Sequence, residues 1–396
     1  MIVIKGGTLV DGQRTVQADV RIDQGKIQAI GLNLKADQVI DATGQVVMPA
    51  FVDLHAHFRD PGLTYKEDLA TGAQAALKGG YGTVVLMANT KPTVDHNEVY
   101  QDIVDRAEAL DLIQIYQNYA VSKGLKGEEW VDLDHLPASV KFLSDDGFGL
   151  QNNKVTFQLF ERINQLGKGL MIHEEDRELS EIDYRYAEDV HTMRDVYFSG
   201  KTGARVHFCH VSTIDACKAV EYGKDQGYPV TMEVTPHHLY LSGLDYKVHP
   251  PIREEADRRY LVEALIRGAV DCVATDHAPH SVEDKLKGSP GMIGLETAFQ
   301  VVYKVLVEEY GQDLQLVSRV MSQRPAEILE VNKGRIEVGY DADLVLVDLA
   351  QSETIQPNTI RSKSKNTPMM GETFKGVVTT TVVNGEVKYR REVNEY

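Results

Sequence analysis

Asp53-Leu54-His55-Ala56-His57-Phe58-Arg59-Asp60-Pro61-Gly62 closes an apolar run that begins at Val47. A run that fills with histidine and charge at its end, then breaks at Pro-Gly, reads as a buried strand emerging at a surface. Extended chain has a period of two, so His55 and His57 project to one side. Two imidazoles side by side at a strand end can hold one divalent ion, and imidazole suits Zn²⁺ and similar metals. The plainer alternative is two polar residues on a wetted strand face.

Seven further runs of the same kind follow: 82–87, 112–120, 138–143, 169–172, 204–208, 229–234 and 270–274. Helical patterns separate most of them, at 67–78, 97–110, 155–166, 213–226 and 258–267. Gly79-Gly80, Gly167 and Gly268 stand where such helices would stop. Eight β/α alternations across residues 51–334 predict an α/β fold, a TIM-type (β/α)8 barrel rather than an open sheet. The flanks read differently. Short β runs at 2–4, 18–22, 26–30, 342–348 and 377–383, with the hairpin signal Asn384-Gly385, predict a small β-sandwich domain built from residues 1–50 and 335–396.

In a barrel of this type, chemistry gathers where strands end. Run two ends at Asn89 and run four at Ser144-Asp145-Asp146-Gly147. Run five ends at His173-Glu174-Glu175-Asp176, run six at Cys209-His210, and run eight at Asp276-His277-Ala278-Pro279-His280. His55 and His57 make one corner of a metal site, and His173 and His210 another. A carboxylate between them can bridge two metals that share a hydroxide, and Asp276 can ligate one metal and take a proton. The constellation points to metal-assisted hydrolysis of a polar bond. The polar, Gly/Pro-containing stretch 281–294 reads as an active-site loop.

Composition narrows the partners. Forty-two basic against 59 acidic residues leave a net charge of −17, which disfavours nucleic acid and anionic membranes. No apolar run reaches the length of a membrane span, and the first residues carry no signal-peptide pattern. Cys209, Cys217 and Cys272 are odd in number and widely spaced, which points to a reducing, cytoplasmic location.

These motifs resemble the amidohydrolase superfamily and, more narrowly, the bacterial class I dihydroorotases. The stretches that carry the resemblance are 53–62, 89–92, 144–147, 210–213, 233–239, 246–253, 274–280 and 294–299. The resemblance implies zinc-dependent, reversible hydrolysis of dihydroorotate to N-carbamoyl-L-aspartate in pyrimidine synthesis, with two zinc ions per subunit or other divalent metals in their place. It implies His55 and His57 on the first metal and His173 and His210 on the second, with Asp146 between them. The metal-bridging hydroxide would be the nucleophile and Asp276 the acid/base. Arg59 and Asn89 would bind the substrate carboxylate, with His280 and the backbone at Pro290-Gly291 against the ring. Lys141, in carboxylated form, and Asp145 are the alternative bridges.

The chain departs from the family pattern in three places: His249 stands where Asn is usual, 174–205 is short, and Pro290 replaces a common Phe. His249 would also contact substrate, with a different reach from an amide. A hydantoinase- or allantoinase-like cyclic amidase is the rival activity. An inactive scaffold for aspartate transcarbamoylase is the non-enzymatic reading. Beyond the small-molecule substrate, a homodimer and a transcarbamoylase contact are the candidate assemblies. The carboxylate run 174–176 reads as solvated, with a hydrogen bond behind a metal ligand as the alternative.

Overall fold

The computed structural model describes residues 1–392. Eight strands follow one another in chain order: Phe51–Ala56, Tyr81–Leu86, Gln114–Gln117 continued by Tyr119–Ala120, Phe142–Ser144, Gly169–Ile172, Arg205–Phe208, Val230–Val234 and Cys272–Val273. Neighbours along this series pair in parallel. Ala56 forms a parallel bridge with His277, and the His57 amide donates to the His277 carbonyl at 2.9 Å. The chain beyond the eighth strand therefore lies against the first. The first two strands are buried at every position, as parallel strands covered on both faces must be.

The covering helices include Leu69–Lys78, Asn97–Leu110, Asn153–Gln165, Ile214–Asp225 and Glu255–Ile266. Side chains close the first turns of several: Asp68, Asn152 and Thr213 each accept a backbone N–H at the N-terminus. The segment 174–205 holds the 19-residue helix Tyr184–Thr202. The loop 281–294 contains a short helix, Val282–Leu286, fixed by a reciprocal Ser281–Asp284 capping box.

The run that begins at Val47 also divides. Val46–Pro49 pairs antiparallel with 344–347, whereas Phe51–Ala56 starts the parallel series. Pro49 has no N–H for a ladder, and the Ala50 N–H goes to the Asp343 carbonyl at 2.9 Å. Val46–Pro49 thus enters a six-stranded sheet with strands from both ends of the sequence, Thr8–Val10 and Leu344–Thr354 among them. A four-stranded sheet of Ile2–Lys5, Asp19–Asp23, Lys26–Gly31 and Gln38–Asp41 stands beside it. Ile4, Val20 and Ile27 from the second sheet share a buried cluster with Val47, Leu344 and Val382 from the first. At the hairpin, Asn384 (φ 51°) and Gly385 (φ 77°) both take the left-handed conformation that a tight two-residue turn requires.

Gly79 follows the helix Leu69–Lys78 at an ordinary φ of −76°. Its conformation alone would welcome alanine, with a gain of about 0.4–1 kcal/mol from the unfolded chain. A Cβ there would lie 2.1 Å from the Leu295 carbonyl oxygen. The clash dominates, and Gly79→Ala is expected to lose about 1–3 kcal/mol. The urea midpoint reads this directly, and an unchanged midpoint would contradict the close approach.

Candidate active site

Each strand end delivers its side chain to one buried cluster. His55 Nδ1 lies 2.8 Å from Glu233 Oε1, and the other oxygen of Glu233 lies 2.9 Å from His207 Nε2. His57 Nδ1 lies 2.9 Å from Asn89 Oδ1, and Asn89 Nδ2 donates to Asp146 Oδ2 at 3.2 Å. His173 Nε2 lies 2.9 Å from Glu175 Oε2 and 3.1 Å from the Tyr184 hydroxyl. In all three rings the nitrogen turned away from the cluster faces an acceptor. That fixes the tautomer and leaves the inner nitrogen with a bare lone pair.

Those inner nitrogens converge on Asp146. His55 Nε2 lies 3.4 Å and His173 Nδ1 3.7 Å from Asp146 Oδ1, and His57 Nε2 lies 3.5 Å from Oδ2. His173 Nδ1 and His210 Nε2 are 2.9 Å apart. Two three-residue groups able to hold a metal share this carboxylate: His55, His57 and Asp146, and Asp146, His173 and His210. His55 Nε2 is buried without a hydrogen-bond partner. A buried imidazole lone pair in a nitrogen-and-carboxylate cage is what a divalent cation requires, so the residues present fit a metal pair.

The other bridge candidates stand elsewhere. Lys141 Nζ lies 3.4 Å from the Glu330 carbonyl oxygen and over the Tyr116 ring, outside the cluster. Asp145 turns to the backbone and accepts the His173 N–H at 3.0 Å. Burial pushes its carboxyl up to about 7.

Asp276 Oδ1 lies 3.1 Å from His57 Nε2 and 3.4 Å from His55 Nε2. Burial opposes its charge, but His55 and His57 hold its carboxyl below the ordinary range. Arg59, His210 and Asp276 all adopt positive φ, at 59°, 36° and 46°. Such backbone costs about 1–3 kcal/mol per residue and persists only where the surroundings over-determine it. At Asp276 they do. Asp53, buried beneath, accepts the Thr275 N–H at 2.8 Å and its hydroxyl at 2.5 Å.

A cavity of about 180 Å³ opens above the cluster, a size for one small molecule. Arg59, Asn89, His249, His280, Pro290 and Gly291 all line it, together with His57, Asp146, His173, His210 and Asp276. Arg59 Nε donates to the Pro279 carbonyl at 3.2 Å, and its Nη2 lies 3.1 Å from His280 Nε2. His249 packs against Tyr184 at 4.9 Å between ring centroids, and burial lowers its imidazole to about 4. Gly291 has φ 131°, and a Cβ there would lie 2.7 Å from the Ala278 Cβ. Asn366 fastens this wall: its Nδ2 donates to the carbonyls of Ala278 (3.0 Å) and Gly291 (3.1 Å), and its Oδ1 accepts from the His280 N–H at 3.0 Å.

Four contributors escaped the sequence reading. Glu233 stands out only inside a matching stretch, Glu175 lies in a run whose first reading is solvated, and Tyr184 and Asn366 carry no local signal. The carboxylate run is in fact largely internal, because Glu174 is buried and Glu175 holds His173.

A model of the amidohydrolase family matches residues 156–388, and a dihydro-orotase-like model matches residues 44–216. A dihydroorotase of Clostridium botulinum (strain Eklund 17B / Type B) is 44% identical over 399 residues, covering 98% of this chain and 100% of its own. A dihydroorotase of Thermoanaerobacter sp. (strain X514) is 38% identical over 426 residues, covering 99% and 98%. Among solved structures, D-hydantoinase from Thermus sp. matches with a TM-score of 0.86 and 26% identity, covering 100% of this chain and 98% of that one. L-Hydantoinase from Arthrobacter aurescens matches with a TM-score of 0.88 at 24% identity, covering 98% and 95%, a likeness of fold. The chain belongs to the amidohydrolase family, and it is a metal-dependent cyclic amide hydrolase. Within that family it falls among the dihydroorotases.

Glu233 bonds His55 and His207 at once; burial would raise its carboxyl, but those two hydrogen bonds hold it at about 2. Glu233→Ala frees the His55 ring to change tautomer and is expected to weaken metal retention about 10–100-fold. Competition with a chromogenic chelator measures this, and retention equal to the parent would remove Glu233 from the site.

Proposed function

We propose that the chain interconverts dihydroorotate and N-carbamoyl-L-aspartate, in the cytoplasm, with two zinc ions. The catalytic unit would be residues 51–334 as a (β/α)8 barrel, and residues 1–50 with 335–396 a composite β-sandwich. The observation that carries the reading is one small cavity in which the histidine–carboxylate cluster faces Arg59. Three features support the barrel: the chain-order parallel pairing, the Ala56–His277 bridge and the likeness to hydantoinases.

His55, His57 and Asp146 would hold one metal, and Asp146, His173 and His210 the other. When bound, such metals lower the pKa of water and polarise the carbonyl to be attacked. The residues do the rest. Arg59 presents a planar fork of donors that matches the substrate's free carboxylate. Asn89, which lines the same cavity, would join Arg59 on that carboxylate while its amide holds His57 and Asp146 in place. Asp276, ionised beside His57, takes the proton from the attacking water and gives it to the ring nitrogen as the carbon–nitrogen bond breaks. The reverse reaction uses the same groups in the opposite order. Neutral His249 and the backbone at Gly291 close the walls around the ring.

The test is an ultraviolet assay of L-dihydroorotate hydrolysis on the purified chain, with metal analysis of the same sample. Turnover is expected to vanish on chelation and return with zinc. Bound metal without turnover would overturn the substrate assignment. Arg59→Ala is expected to lower kcat/KM for dihydroorotate about 10–100-fold, the value of one charge-assisted contact. Hydantoin lacks the carboxylate, so any slow turnover of it should change little. An equal loss on both substrates would contradict the clamp.

A further inference from the structure

The His280 ring is asked for two lone pairs and has one. Lys66 Nζ lies 3.1 Å from its Nδ1, and Arg59 Nη2 lies 3.1 Å from its Nε2. Burial, Arg59 and Lys66 lower the imidazole to about 3, so the ring is neutral at neutral pH. A neutral imidazole carries one N–H and one lone pair, whereas ammonium and guanidinium groups carry donors only. One cation therefore takes the lone pair, and the other faces an N–H.

The surroundings decide which. Lys66 is 8% exposed, and Asp284 Oδ2 faces its Nζ from 3.4 Å. Burial and Arg59 lower the pKa of this ammonium from the ordinary lysine value, and Asp284 opposes them. A buried ammonium that gives up a hydrogen bond has no water to replace it. Arg59 is partly exposed and lines the cavity, where water or a ligand can reach it. The lone pair thus belongs to Lys66, and the ring proton to Nε2. The frame around this pair is fixed from several sides. The Lys66 N–H donates to the Leu63 carbonyl at 2.9 Å, and its carbonyl accepts from the Ser364 hydroxyl at 2.7 Å. Asp284 accepts from the hydroxyls of Ser281 at 2.8 Å and Tyr65 at 3.3 Å.

With the proton on Nε2, two donors meet 3.1 Å apart at the cavity wall, the His280 N–H and an Arg59 N–H. Facing donors repel until an anionic acceptor answers both. In the other tautomer Arg59 would donate to Nε2, and that donor would be used up within the wall.

We propose, resting on the dihydroorotate reading, that Lys66 is a positioning residue: it holds the Nδ1 lone pair of His280, so that the ring presents an N–H and not a lone pair to the substrate's carboxylate beside Arg59.

Long-range ¹H–¹⁵N NMR of the zinc-loaded chain, labelled at histidine, reads the tautomer directly, with the His280 signal identified by its loss in His280→Gln. The ligand-free chain is expected to carry the proton on Nε2, and saturating N-carbamoyl-L-aspartate to shift that nitrogen. A proton on Nδ1 in the ligand-free chain would overturn the proposal, and this measurement needs no change at Lys66. Lys66→Met keeps the length of the side chain and removes its charge. It is expected to move the proton to Nδ1 and to raise KM for dihydroorotate about tenfold without a matching loss of kcat, because the contact is the same in the ground and transition states. A Lys66→Met chain that keeps the Nε2 proton, or whose loss falls on kcat, would overturn the role of Lys66. An Nε2 proton that does not respond to N-carbamoyl-L-aspartate would instead overturn the carboxylate, and with it the substrate reading.

Discussion

Four imidazoles and two carboxylates packed below the surface are tolerable only if each proton has an assigned place. Glu233, Asn89 and Glu175 make the assignment by facing the outer nitrogens of His55, His57 and His173. The inner nitrogens are thereby left bare around Asp146. This constraint sets demands on the fold. The outer partners come from the second and seventh strand ends and from the turn after the fifth strand, so the strands must keep their order. Arg59, His210 and Asp276 must also hold positive φ, and backbone bonds across the first and eighth strand ends keep the chain there in place.

Much of this was legible from local pattern. His55 and His57 share a side because a strand has period two, and both reach the cluster. His173, His210, Asp146 and Asp276 were legible because each ends an apolar run, where a buried strand has no other reason to become polar. Glu233 was not, since a carboxylate inside a run looks the same whether it faces a histidine or solvent. Tyr184 and Asn366 come from segments whose sequence fixes neither their distance nor their direction from the site. The run from Val47 misled for another reason. Pairing partners, not hydropathy, decide that Val46–Pro49 leaves for a different sheet.

The helix Tyr184–Thr202 explains why hydropathy periodicity alone did not reveal it. Several of its polar residues point inward beside Ala187 and Val196, with Glu188 and Asp189 anchoring strand ends beside the site, and Tyr186, Val190, Met193 and Tyr197 point outward. A periodic pattern reports a contrast between faces and not which face is buried. The same helix begins at Tyr184, whose hydroxyl meets His173 and Glu175.

Asn366 has a consequence for the order in which the molecule comes into being. Every member of the histidine–carboxylate cluster precedes it in the chain, and so do both stretches that it ties together, Ala278–His280 and Gly291. During synthesis the cluster can gather while the side of the cleft next to Gly291 still lacks its fastening. Val46–Pro49 likewise waits for Leu344–Val347 before its sheet can form. The side of the cleft next to Gly291 is thus fastened by a residue that the chain supplies only after every member of the cluster and both stretches it joins.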